Sequence, residues 1–365
     1  MKKHTFIGDK TVMAHWIDEF PDLVNLHVDL NDISGFVTQQ LTDSQLMPKK
    51  IRIDASSLCQ LKCKSCYMRL NNSGTIGNGY LSFANFKTLI ESNPFIKEVE
   101  LSNSGEIFLN PDLIKIVEYA FSKGVRLTSF NGVNLNTVTD VQLEALVRFH
   151  FYSLTISIDG ASQDTYSSYR KNGNYHTVIE NIKKLIAYKT RYKSGFPHII
   201  WQYIIMACNE MDVPLAKIKA KDLGIPIYFK LTWDKDYQPT HIDMLKKETG
   251  LQTLTRDEYR IMTGKTYFGT LACRQMFFSP QINWDGRLLG CCEVYKQDYG
   301  VNVFETGLRK ALQTFNFIQA KRFILGQVSI DSLKDDCPCI SCEKRLQMKM
   351  MNEKFVLFDD IGQKI

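Results

Sequence analysis

Between residues 51 and 231 the chain alternates strand-like and helix-like segments, and no other feature narrows its fold as far. Strand signals, short and rich in apolar or β-branched residues, fall at 51–55, 97–101, 125–130, 152–158, 199–206 and 225–230. Helix signals fill the gaps. Ser82 is placed to cap a helix reaching about residue 92, and Asn110-Pro111 reads as an N-cap followed by proline at the first helical position. Gly124 stands where a left-handed C-terminal residue belongs. A helix is expected over 139–149, and another over 212–223 that Gly224 ends. Thr177 and Glu180 have capping-box spacing, ahead of one apolar helical face made by Val178, Ile179, Ile182, Leu185 and Ile186. Six strand–helix units predict an α/β fold, a parallel sheet closed or nearly closed into a barrel. Right-handed crossovers then put every loop after a strand on one face.

The rhythm changes after Trp233. The chain divides into an N-terminal extension without a motif (1–50), the barrel (51–235), a polar linker with one short helix (236–268), a cysteine-bearing segment (269–345) and a tail (346–365). Within the cysteine-bearing segment, strands over 281–284 and 287–291 are joined by an Asp285-Gly286 turn. At 365 residues the chain buries enough surface to fold without disulfides. Its net charge of +6 is spread out, so no nucleic-acid-binding arm is indicated. No apolar run follows Met1-Lys2-Lys3-His4, which argues against a signal peptide, and no stretch is long and apolar enough to span a bilayer. A soluble, cytoplasmic protein is expected.

Ten cysteines in such a chain point to metal or catalysis, because thiols seldom form structural disulfides in a reducing compartment. Cys59-x3-Cys63-x2-Cys66 follows the first strand. Three thiolates so close can hold three corners of an iron–sulfur cubane and leave one iron open to a ligand from outside the protein. A zinc knuckle with a distant fourth ligand is the plainer alternative, although zinc motifs usually bring two pairs of ligands.

This spacing, on the loop after the first barrel strand, resembles the radical SAM enzymes. Asn103-Ser104-Gly105-Glu106 follows the second strand, where that family carries a Gly-Gly-Glu-like turn, and the resemblance implies that Glu106 meets the amino group of S-adenosylmethionine. The stretch from Asp159 to Leu185 is similar to the family's fourth strand–helix unit, which implies that Ser157 contacts the cofactor's ribose and Arg170 its carboxylate. Asn131-Gly132 also matches a family turn, and Met206 to Asn209 falls where the family lines the adenine pocket. The position before the third cysteine, often aromatic in the family, is Ser65 here, and Tyr67 is the expected substitute. The implied chemistry is one-electron cleavage of S-adenosylmethionine at a 4Fe–4S cluster, releasing a 5′-deoxyadenosyl radical that abstracts hydrogen. The protein supplies orientation and a closed cavity. An electron donor such as flavodoxin or ferredoxin is implied as a partner.

In the second group, Cys273-x12-Gly286-x4-Cys291 precedes Cys337-Pro338-Cys339-x2-Cys342. Spacing alone does not choose between a zinc ribbon and an iron–sulfur cluster. The segment resembles the Twitch domain, a shortened SPASM domain that follows radical SAM barrels, which implies an auxiliary 4Fe–4S cluster on Cys273, Cys291, Cys339 and Cys342. Cys292 and Cys337 are then bystanders, with Cys337 able to exchange with Cys339. The longer cysteine run of a full SPASM domain is absent. Cys208 reads as a buried core thiol, the seven histidines show no ligand spacing, and Arg274, Lys230 and Trp233 are expected to border the cavity.

The resulting expectation is a radical SAM oxidoreductase, a dehydrogenase or epimerase acting on a small metabolite such as a sugar or aminocyclitol. A peptide-modifying enzyme of the same architecture is the second reading, disfavoured by N-terminal residues without a leader-binding winged-helix pattern. A zinc-held scaffold without catalysis is the third.

Overall fold

The computed structural model describes residues 39–70, 76–294, 296–355 and 357. The first 38 residues, most of the expected N-terminal extension, lie outside them, as does most of the tail beyond residue 355.

Six parallel strands form the body of one sheet: β1 (Lys50–Ile53), β2 (Glu98–Glu100), β3 (Arg126–Val133), β4 (Ser153–Ser157), β5 (His198–Ile205) and β6 (Ile227–Leu231). They pair in sequence order, while β6 and β1 do not pair, so the barrel is partial. Alternation along the strands assigns two different faces. Ile51, Ile53, Val99, Leu127, Leu154, Ile156, Trp201 and Tyr203 enter the main hydrophobic core. The residues between them are buried yet polar: Lys50, Arg52, Asp54, Glu98, Glu100, Thr128, Ser153, Thr155, Ser157 and Gln202. One face of the sheet is a packed core, and the other is a polar, hydrogen-bonding lining.

Helices α1 (Tyr67–Leu70), α2 (Phe83–Glu91), α3 (Leu113–Ser122), α4 (Asp140–Arg148), α5 (Gln163–Tyr169), α6 (Tyr175–Arg191) and α7 (Val213–Asp222) connect the strands. The expected Ser82 cap is present, its side chain accepting from Asn85 N, and Gly124 and Gly224 take left-handed conformations. Two helix starts differ from expectation. Asn110 does not cap α3, which begins at Leu113. Its side-chain amide instead donates to the carbonyls of Ala55 and Leu81, tying the loop after β1 to its surroundings. The start of α6 is Asn174, whose side chain accepts from Thr177 N, so Thr177 and Glu180 lie inside the helix. The polar linker also holds more structure than expected, with α8 (Ile242–Thr249) and α9 (Arg256–Thr263).

The cysteine-bearing segment continues the barrel sheet. After α10 (Gly269–Phe278), strand β7 (Gln281–Ile282) pairs parallel with β1 and antiparallel with β8 (Leu288–Gly290), giving the order β6-β5-β4-β3-β2-β1-β7-β8. Both hairpin strands are shorter than expected. Arg52 Nε donates to Gln281 Oε1 at 3.1 Å and Gln281 Nε2 donates to Asp54 Oδ2 at 3.1 Å. Ile282, Leu288 and Phe317 belong to the same core cluster as the barrel strands. Then follow α11 (Val303–Thr306), α12 (Leu308–Leu312), α13 (Phe315–Ile324) and α14 (Glu343–Met350), the last running across residue 345. No helix among the described residues is long and apolar enough to cross a membrane.

Candidate functional site

Residues at or after the C-terminal ends of all six barrel strands converge on one cavity of about 540 Å³, a size usual for small-ligand sites. Cys63, Cys66 and Tyr67 come from the loop after β1, Ser102 to Gly105 from the loop after β2, and Asn131 and Gly132 from β3. Ser157, Gln202, Lys230, Thr232 and Trp233 line it from β4, β5 and β6. Cys292, Glu293 and Lys344 close it from the C-terminal segment.

Close backbone approach shapes the floor. Gly105 has φ +65, and a Cβ there would stand 2.3 Å from the carbonyl oxygen of Ser56. That contact lets Glu106 N donate to Leu58 O at 2.7 Å, locking the loop after β2 onto the cysteine loop. Gly132 has φ +107, and its Cβ would meet Ser157 Oγ at 2.0 Å. Tyr67 fastens the same junction, its hydroxyl 2.7 Å from Ser104 Oγ and donating to Asn103 O at 3.2 Å. Asn131 Nδ2 donates to Asn103 Oδ1 at 2.7 Å, and Gln202 Nε2 donates to Ser157 Oγ at 3.1 Å. On the far side, Ser65 is hydrogen-bonded to Asp234 and its carbonyl accepts from Trp233 Nε1 at 3.1 Å, clasping the cysteine loop to the end of β6.

The three cysteines sense one another. Cys59 keeps an exposed edge, but burial of its sulfur pushes the thiol up to about 12, with Glu106, Cys63 and Cys66 adding to the rise. Burial also raises Cys63, against the pull of Arg170. Asn134 Nδ2 approaches Cys59 Sγ at 3.7 Å, and Arg170 Nη1 lies 4.0 Å from Cys63 Sγ. A metal would reverse these shifts, because coordination deprotonates a thiol. Among the described residues, no three His, Cys, Asp or Glu side chains are gathered tightly enough to hold a single ion. Tetrahedral zinc needs sulfurs roughly 4 Å apart, whereas cubane ligands sit on different irons and stand wider. No histidine lines the cavity.

Arg170 is held by its fork, Nε and Nη2 donating to Asp159 Oδ2 at 2.7 and 2.6 Å. Burial opposes its charge most strongly, but Asp159, with Cys63, Tyr166 and Tyr169 adding to it, raises its pKa. The Asp159-Gly160 turn is visible in the sequence, but the role of the aspartate emerges only here: Oδ1 also accepts from Ile204 N at 2.8 Å, joining β4, β5 and the arginine.

Three residues that the resemblance implies as cofactor contacts do not line the cavity. Glu106 is fully buried away from the cavity wall, its carboxylate accepting from Asn134 N at 2.7 Å and Phe108 N at 3.3 Å. Met206 is buried with Tyr169 and Ile204. Asn209 is consumed by backbone, accepting from Met206 N and donating to Ile204 O and Asp159 O. These side chains build loops, and none of them lines the cavity. Arg274 does not line it either, whereas Lys230 and Trp233 do. Cys208 is half-buried beyond β5, packed on the small cluster around Met206.

The second cysteine group gathers Cys273 from α10, Cys291 after β8, and Cys339 and Cys342 before α14. Burial raises Cys273, Cys291 and Cys342, and Cys291 feels both Cys273 and Cys342. Cys339 shares a hydrogen bond with Cys337 and also feels Cys291, while the Tyr299 hydroxyl stands 3.2 Å from its sulfur. Cys292 faces the other way, into the cavity.

No family model and no curated protein matches the chain. Solved structures do. Streptococcus suis SuiB bound to S-adenosylmethionine aligns with a TM-score of 0.60 at 12% identity, covering 97% of this chain and 88% of that one. SuiB bound to the precursor peptide SuiA aligns with a TM-score of 0.60 at 11% identity, covering 97% and 90%. Polyhistidine-tagged anSMEcpe with bound AdoMet aligns with a TM-score of 0.51 at 14% identity, covering 83% and 95%. In fold, the chain is a partial parallel barrel of the radical SAM kind, shared with these proteins.

Proposed function

We propose that the chain is a radical SAM enzyme. The observation that carries this reading is the cavity in which two cysteines of the 59–66 triad, the Asp159-held Arg170 and the C-terminal ends of all six strands meet. Similarity in fold to SuiB bound to S-adenosylmethionine supports it. Cys59, Cys63 and Cys66 are assigned to three irons of a 4Fe–4S cluster. Arg170 and Ser157 orient the cofactor's carboxylate and ribose, with Asn131 and Tyr67 shaping the floor. Glu106 acts one step back: its carboxylate holds Asn134 N and Phe108 N, and the polar atoms of residues 102–105 are assigned to the cofactor's amino group. Cys273, Cys291, Cys339 and Cys342 are assigned to an auxiliary 4Fe–4S cluster. When bound, these groups supply one-electron cleavage of S-adenosylmethionine to a 5′-deoxyadenosyl radical, and an acceptor for the electron that a substrate radical gives up.

The finer reading is oxidation of a small metabolite, a dehydrogenation or epimerisation. Modification of a peptide is favoured by a specific observation, the likeness to SuiB bound to its precursor peptide. Deuterium transfer into 5′-deoxyadenosine from labelled sugars and aminocyclitols, set against labelled peptides, separates the two. For the enzyme itself, anaerobically purified protein is expected to contain iron and to convert S-adenosylmethionine to 5′-deoxyadenosine with dithionite. Cys63→Ala should abolish that conversion, and Cys339→Ala should spare it while lowering product yield. Colourless protein holding zinc without iron overturns the reading.

A further inference from the structure

The two ends of the cavity differ in charge balance. Beside the triad, Arg170 is neutralised by Asp159. At the end formed by β6, α9 and α14, Lys230, Arg256 and Lys344 line the wall with Tyr267. Carboxylates facing them are few. Glu293, next to β8, acts on all three cations. Asp257 is taken by Arg260 at 2.7 Å, Glu343 lines the same wall, and Asp159 and the Cys292 thiol act on Lys230 from further in. Positive charge remains in excess even with Glu343 counted.

The cations are also poorly satisfied. Arg256 stacks on Tyr267 with its guanidinium carbon 4.9 Å from the ring centre, and its buried Nε has no hydrogen-bond partner. Lys230 lies over Phe268 at 5.5 Å and forms no ion pair among the described residues. Lys344 donates to the backbone carbonyl of Tyr267 at 3.0 Å, beside the residue on which Arg256 stacks. A buried donor left unmade is costly, and buried like charges more so. Burial pushes the Lys230 ammonium down to about 8, with Arg256 adding to the fall. An arrangement this unfavourable, open to a cavity, is relieved by an anion from outside.

We infer that this end binds an oxyanion of the substrate, a carboxylate or a phosphate, between Lys230 and Arg256 with Lys344 behind them. The inference rests on the proposed function, which gives the triad end to S-adenosylmethionine and leaves this end to the substrate.

The test uses full-length, anaerobically reconstituted protein and calorimetric titration with inorganic phosphate or with succinate. Saturable binding of at least one probe is expected, and the tighter of the two identifies the oxyanion. Arg256→Gln and Lys230→Met should each weaken it at least tenfold, while Glu293→Gln, which removes the shared counter-charge, should tighten it several-fold. Binding should weaken as pH rises through about 8 and Lys230 loses its proton, and Lys230→Met should lose that dependence. If Arg256→Gln does not fold, the opposed signs of Lys230→Met and Glu293→Gln still decide. Absence of saturable binding by either probe, or equal binding in every variant, overturns the inference. With S-adenosylmethionine cleavage intact, that result sinks the anion site alone. Failed cleavage with the charge pattern upheld sinks the enzyme reading instead.

Discussion

At the scale of single residues, close approach decides more than chemistry does. Gly132 sits against Ser157 with no room for a methyl group and with φ in the left-handed region. Gly132→Ala is therefore expected to cost about 1–3 kcal/mol, read by thermal denaturation. Adding Ser157→Ala should recover part of the loss, because the hydroxyl clash disappears while the backbone strain stays. No recovery at all would show that the strain is purely torsional. The sequence made the chemistry-bearing residue types visible, but not which of them face inward. Tyr67, Asn131, Ser157 and Arg170 line the cavity, whereas Glu106 and Asn209 hold backbone groups and Met206 packs on Tyr169 and Ile204. A carboxylate or amide in a turn has two uses, local hydrogen bonding or a ligand, and one sequence cannot tell them apart. Cys292 shows the same limit, since adjacent cysteines after a strand point in opposite directions.

At the scale of elements, all six barrel strands were legible because apolar and polar residues alternate over both buried faces, and their ends lie within a few residues of expectation. Helix starts were less so. Asn110-Pro111 has the chemistry of a cap, but the short helical turn over Ile107–Leu109 ends there and takes the asparagine for other carbonyls. In α13, Lys321 is buried, donating to Leu41 O at 3.0 Å and Ser44 Oγ at 2.7 Å, and burial holds its ammonium down at about 7. In the unfolded chain the lysine keeps its proton to about pH 10.5. Between those values the unfolded state binds the extra proton, so native stability should rise with pH by about 1 kcal/mol per unit from this group. Urea unfolding at pH 7 and pH 9 should show the rise in the parent chain and its loss in Lys321→Met. Equal slopes in both would assign the rise to another group.

At the scale of the molecule, the surprise is the seat of β7. A strand over 281–284 was legible in the sequence, but its neighbour was not, because a pairing between Arg52 and Gln281 spans more sequence than any local pattern reaches. The consequence is that the barrel is not self-sufficient at its β1 edge, where Arg52 N donates to Pro280 O and Asp54 N to Ile282 O. A chain ending at residue 268 exposes that edge together with the core surface that Ile282, Leu288 and Phe317 cover. It is expected to lose near-ultraviolet circular dichroism and cooperative unfolding, and a sharp two-state transition in that fragment would contradict the account.

Because the sheet itself welds β7 beside β1, the spacing between the two thiol groups owes nothing to the length of the excursion that joins them. Gly250, at the close of α8, turns through φ +74 into open space. Spliced there, a reporter or an evolutionary insertion lengthens the tether while both cysteine-bearing loops keep their registration.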